Sequence, residues 1–204
     1  MRRTVPFIVA MLLLVSVCAY PVGCGLAEAS ALGTLTITFD YEKQPGLASN
    51  QFAVWIEDMD GNIVKTLCVT HFTANGGFRI RPDILPVWVQ KSDIAFMDAA
   101  DVDAVAGSTP ETGQVSFTWD LTDMDDNAAA PGSYQFFVEG SLRWNNRVMF
   151  SGIIDTAGEA AVVPGAPVYF YERAAAGWPA LAADALEHNM ITAVEATWQP
   201  AGGS

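Results

Sequence analysis

Between His71 and Lys91 the chain gathers His71, Phe72, Phe78, Arg79, Arg81 and Trp88, and its first part, His71–Asp83, has neither the period of a strand nor that of a helix. Rings and guanidinium groups mixed in this way can stack on a planar ligand or grip a partner protein, because a delocalised cation is drawn to the electron-rich face of a ring. Turned inward, the same residues would cover the end of a sheet. A second group, Asp120, Asp123, Asp125, Asp126 and Asn127, offers the hard oxygen donors that Ca²⁺ takes. It lacks the glycine and the distal glutamate of an EF-hand loop, so a solvated turn is the better reading. His71 and His188 are far apart and no cysteine pair accompanies them, so no metal site is expected. No Gly-x-Ser-x-Gly elbow, phosphate loop or dinucleotide fingerprint occurs, and no catalytic activity is expected.

Charge narrows the partners. The 204-residue chain carries a net charge of −13 at pH 7, and no local Lys or Arg cluster offsets it, which excludes nucleic acid as a partner. Residues 1–31 read as a secretory signal peptide: Arg2 and Arg3, an apolar run from Val5 to Cys18, a helix-breaking Tyr20-Pro21, then Ala29-Ser30-Ala31. The alternative is a lipid anchor at Cys24 within Pro21-Val22-Gly23-Cys24. Either way the chain is expected outside the cytoplasm, in the periplasm, at the cell surface or secreted. With Cys18 and Cys24 in the leader, Cys68 is left without a disulfide partner; flanked by Leu67 and Val69, it reads as a packed strand thiol.

Residues 32–204 read as one domain in which short strands must position these groups. Leu35, Ile37 and Phe39 alternate with polar residues in a half-buried strand. Phe52, Val54 and Ile56 oppose Ala53 and Trp55 in the next, and Asp60-Gly61 turns it back into Ile63–Thr70 as a hairpin. Pro86 is suited to the first turn of a short helix over Leu85–Lys91. The segment Gln114–Leu142 reads as a central hairpin: Val115, Phe117 and Trp119 alternate in one arm and Tyr134, Phe136 and Val138 in the other, around an Asp-rich loop that ends in Pro131-Gly132. Strands follow at Val148–Ile154, at Val168–Tyr171 and, in simple alternation, at Met190–Trp198, with a loose stretch at Gly158–Pro167 and a surface helix or lid at Ala174–His188. The expectation is an all-β, Ig-like antiparallel β-sandwich with a loop and short-helix insertion.

The ordered motifs Val54-Trp55-Ile56-Glu57-Asp58, Asp60-Gly61, Val64-Lys65-Thr66-Leu67, Gly76-Gly77, Arg81-Pro82, Leu85-Pro86-Val87-Trp88, Thr118-Trp119-Asp120 and Pro131-Gly132-Ser133-Tyr134 resemble domain-of-unknown-function family 2271, bacterial predicted periplasmic proteins. The resemblance runs from about Leu35 to Ile154. Its final hairpin is also similar to the Ig-like domain of flagellar hook-capping proteins. The resemblance implies an extracytoplasmic setting and, in many bacteria, proximity to membrane redox proteins and to the transferase that attaches flavin mononucleotide (FMN) to threonine.

In that light Asp103, Gly107, Ser108 and Thr109 are similar to the acceptor motif of covalent flavoproteins, in which the threonine hydroxyl forms a phosphoester with FMN. Ala106 stands where that motif usually has a hydroxyl residue, and the stretch also reads as an ordinary Gly-Ser-Thr-Pro loop. Three functions are therefore expected in order: an accessory module that binds a membrane or periplasmic protein of a redox system, an electron carrier with FMN on Thr109, and a structural envelope domain.

Overall fold

A computed structural model describes residues 32–43, 50–143, 146–172 and 190–202. Residues 1–31 and the segment expected as a helix or lid lie outside them. Among the described residues ten strands form two sheets: β1 (Gly33–Tyr41), β2 (Gln51–Glu57), β3 (Ile63–Thr70), β4 (Ala106–Gly107), β5 (Gly113–Trp119), β6 (Ser133–Arg143), β7 (Asn146–Asp155), β8 (Ala161–Pro164), β9 (Ala166–Glu172) and β10 (Ile191–Pro200). The smaller sheet runs β5-β1-β10-β8 and the larger β4-β3-β2-β6-β7-β9. Pairing is antiparallel except where β4 lies parallel to the end of β3. The molecule is a β-sandwich, as expected.

Alternation explains the smaller sheet. Leu35, Ile37 and Phe39 of β1 are fully buried while the residues between them are half-exposed. They meet Phe52, Val54 and Ile56 of β2 and Phe136 and Val138 of β6 across the sandwich. Phe39, for one, sets its ring edge-on to that of Phe52 at 5.5 Å. The larger sheet behaves differently, because β2 is buried on both faces. Ala53 and Trp55 belong to a second core with Phe137, Met149, Ile84, Leu85 and Trp88. Each of these large side chains contributes roughly 2–3 kcal/mol of transfer free energy, enough to require a cover over that outer face.

Three expectations are corrected. The segment Gln114–Leu142 is no hairpin: β5 pairs with β1 in one sheet and β6 with β2 and β7 in the other. Its loop carries the chain across the sandwich, and the period that marks a buried face does not say which strand lies beside it. β8 occupies a stretch expected to be loose, pairing with β10 through Glu195↔Pro164 to Trp198↔Ala161. In β10 the simple alternation breaks, since Ile191 and Val194 are both buried at a spacing of three. A bulge accounts for this: Ala193 has φ 51° and the register against β1 slips between Thr38 and Asp40.

The β2–β3 turn and the first turn of the β5–β6 loop are built alike. In Asp58-Met59-Asp60-Gly61-Asn62, Asp58 Oδ1 accepts from the N–H of Asp60 at 3.0 Å and of Asn62 at 2.8 Å. In Asp123-Met124-Asp125-Asp126-Asn127, Asp123 Oδ1 accepts from the N–H of Asp125 and of Asn127, both at 2.9 Å. The fourth position of each is left-handed, Gly61 at φ 86° and Asp126 at φ 60°. Of the oxygens weighed as Ca²⁺ donors, those of Asp123 thus hold their own turn, while Asp126 Oδ1 accepts from Lys65 Nζ.

Candidate functional site

The outer face of the larger sheet is covered by one excursion of the chain. It leaves at the end of β3 and returns in β4, whose Ala106 and Gly107 pair with Val69 and Thr70, so its two ends lie side by side. Short turns fill it: Thr73–Gly77, kinked at Asn75 and at Gly76 with φ 90°, then α1 (Phe78–Ile80), α2 (Pro86–Lys91) and α3 (Ala99–Val105). The short helix with Pro86 in its first turn is as expected. The other turns carry no period long enough to read, and are too short to stand alone without a surface to rest on.

Buried polar groups of the sheet hold the excursion in place. Gln51 Oε1 accepts from Thr70 Oγ1 at 2.6 Å and from the Thr73 N–H at 3.3 Å. Ser141 Oγ accepts from the Leu85 N–H at 3.1 Å. Glu139, fully buried, accepts the N–H groups of Val87 and Trp88 at the start of α2, at 3.2 and 2.9 Å. At the other end of α2, Lys91 Nζ meets Glu57 Oε2 at 2.6 Å, while Glu57 Oε1 accepts from Trp55 Nε1 at 2.7 Å. An acceptor at the helix start and a cation at its end both suit the direction of its peptide dipoles.

This arrangement divides the aromatic and cationic residues singled out from the sequence. Trp88 is fully buried and donates through Nε1 to Thr66 Oγ1 at 3.2 Å; Arg81 is buried, with its guanidinium 3.6 Å from the Asp83 carboxylate. Both are therefore removed from the expected binding surface: in α2 the indole turns toward the sheet, which offers it a hydrogen-bond acceptor as well as apolar cover. His71, Phe72 and Arg79 are exposed and Phe78 is half-buried, with the Arg79 guanidinium 5.5 Å from the Phe78 ring centre.

Phe78 and Arg79 line a surface pocket of about 330 Å³ together with Ile94, Met97, Val102 and Asp103. The fold thus brings Asp103, read from the sequence as part of a flavin-acceptor motif, to the aromatic and cationic residues. The rest of that motif goes elsewhere. Gly107 sits in β4, where a Cβ would lie 2.6 Å from Cys68 Sγ. Ser108 is exposed and Thr109 half-buried in the loop that follows. Cys68 itself is the packed strand thiol expected, and burial pushes its pKa up to about 11.

Sequence reasoning missed the apolar residues around the pocket. Phe96 is 88% exposed, Ile80 73% and Phe72 43%, and the first two adjoin lining residues in the chain. Isolated apolar residues in polar loops carry no periodic signal, so nothing in the sequence marked them as a group. The excursion is also acidic: Asp103 lines the pocket, and Asp93, Asp98 and Asp101, nearby in the chain, are exposed.

No curated protein and no solved structure matches the chain. The profile of the family described as predicted periplasmic protein (DUF2271) matches residues 34–166, from β1 through the whole excursion to the start of β9. That match carries the family and not the likeness to hook-capping proteins. Spanning well over half of the sequence, it makes this chain a member of the DUF2271 family and an extracytoplasmic protein.

Proposed function

We propose that the protein is an exported binding or accessory module that serves an extracytoplasmic redox system, and that its partner seats on the helical excursion. One observation carries this reading: exposed Phe72, Ile80 and Phe96 cluster in sequence around a pocket with an apolar wall. Leu32, Met59, Ile153, Val162 and Val168 are exposed elsewhere, but the two most exposed large apolar side chains among the described residues, Phe96 and Ile80, both lie on the excursion, and such a concentration marks a contact surface. Site-specific photo-crosslinking in the native host tests it. A crosslinker at Phe96 is expected to capture an envelope protein that the same group at Gln114, exposed on β5, does not. Equal or absent capture at the two positions overturns the reading.

A second reading puts FMN on Thr109. Its support is that the hydroxyl lies half-exposed in a loop next to exposed Ser108; Gly107 does not add to it, because Cys68 already accounts for that glycine. Asp103 and Gly107 would then frame the loop while Thr109 supplies the oxygen. Intact mass and an absorbance scan, after coexpression with the host's flavin transferase, decide the matter. An added FMN mass and a flavin spectrum that survives denaturation, both lost in Thr109→Ala, would establish the carrier. An unmodified, colourless protein under those conditions excludes it, and a purely structural domain would show neither flavin nor a captured partner.

A further inference from the structure

We infer that the pocket of the helical excursion receives a basic polypeptide segment that inserts one bulky apolar side chain, an inference that rests on the binding reading above. Size sets the first condition. At about 330 Å³ the pocket lies at the bottom of the range of ligand sites, roughly 300–1,000 Å³, and suits a single large side chain better than an extended cofactor. Its Ile94, Met97 and Val102 offer such a side chain an apolar, adaptable wall. Phe78 adds a ring.

Charge sets the second condition. Asp98, Asp101 and Asp103 are exposed along the start of α3 and Asp93 stands before it, so the approach from this side is anionic. Arg79 also lines the pocket, already engaged with the Phe78 ring. On a chain of net charge −13 an anionic membrane surface would be repelled, which leaves a cationic protein segment as the complementary partner. Exposed Phe96 and Ile80 extend the apolar contact beyond the pocket, as the flanks of a peptide need and a small free ligand does not.

The test is a fluorescence-anisotropy titration of the full chain with a labelled Lys-rich peptide carrying one central Trp, with its Trp→Ala form, and with a Glu-rich form of the same length. The Lys-Trp peptide is expected to bind, with an affinity that falls as salt is raised. Its Trp→Ala form should bind about tenfold more weakly, and the Glu-rich form not at all. Ala99→Trp, at an exposed lining position of the pocket, should abolish binding of the Lys-Trp peptide with the urea-unfolding midpoint unchanged. Asp101→Asn with Asp103→Asn should weaken it several-fold, and Gln114→Trp on the far sheet should leave it unaltered. Equal binding of the Trp and Ala peptides, retained binding by Ala99→Trp, or binding of anionic phospholipid vesicles instead would overturn the inference. Capture at Phe96 in the native host together with failure of the Lys-Trp peptide would sink this inference alone; failure of both would sink the binding reading with it.

Discussion

Glu139, fully buried in the middle of the larger sheet, accepts the Trp88 N–H at 2.9 Å and so holds the first turn of a helix on a different layer. The same carboxyl group takes the Val87 N–H. Removing it would strand two helix donors in an apolar interface and leave a void. Glu139→Ala is therefore expected to cost about 3 kcal/mol, and Glu139→Gln, which keeps one acceptor oxygen, clearly less. Urea unfolding of the three proteins checks the order.

Acid should weaken the protein through its two matching turns. The side-chain hydrogen bond from Asn62 leads in holding the Asp58 pKa below the usual carboxylate range, and the backbone hydrogen bond from Asn127 leads in doing the same for Asp123. Each carboxyl group thus binds its proton less tightly in the folded chain than in the unfolded one. The resulting stability is fully present above about pH 4 and is lost as pH falls through the lowered folded value. Asp58→Asn with Asp123→Asn should flatten the acid limb of stability against pH and leave its slope at neutral pH unchanged.

Two residues held in left-handed backbone invite glycine, with different outcomes. Ala193, exposed in the β10 bulge at φ 51°, has no polar group to stabilise that conformation; Ala193→Gly should raise stability by about 1 kcal/mol. Asp126 tolerates φ 60° better and pairs with Lys65 Nζ at 2.9 Å, an exposed ion pair worth roughly 0–1 kcal/mol. Asp126→Gly should fall near neutral. Thermal melts of the two variants distinguish them.

Cys68 and Gly107 should behave as one unit. A methyl group at residue 107 would meet Sγ at 2.6 Å, so Gly107→Ala is expected to cost about 1–3 kcal/mol, and a concurrent Cys68→Ala to recover part of it. With its pKa pushed up to about 11 and its side chain buried, the thiol should resist alkylation in the folded protein and react fully after denaturation.

Much of the sandwich was legible because period two survives wherever one face is wet, as in β1 and β5. The β2–β3 hairpin was legible from Asp60-Gly61, a local signal for a local turn. Which sheet β6 joins was not, because partner choice is a property of the assembled layers. The candidate site was half legible. Composition pointed to the right stretch, but orientation depends on groups such as Thr66, Glu139 and Ser141 that approach from other strands. Trp88 and Arg81 were thus assigned outward although both are buried, Trp88 against Thr66 of the sheet and Arg81 beside Asp83, while Phe96 and Ile80, with no periodic neighbours, went unnoticed.

The pairing of β1 with β10 makes the order of events in folding unequal. The larger sheet grows from neighbours in sequence, β2 with β3 and β6 with β7, and each pair can close soon after its turn forms. β1 sits between β5 and β10, with Gly33 opposite Pro200, so one of its edges stays open until nearly the whole chain is present. Closing so long a loop is slow, and an unpaired edge invites the wrong neighbour meanwhile. The smaller sheet is therefore the late-forming half of the molecule, and the interval before β10 docks is when the chain is most open to aggregation.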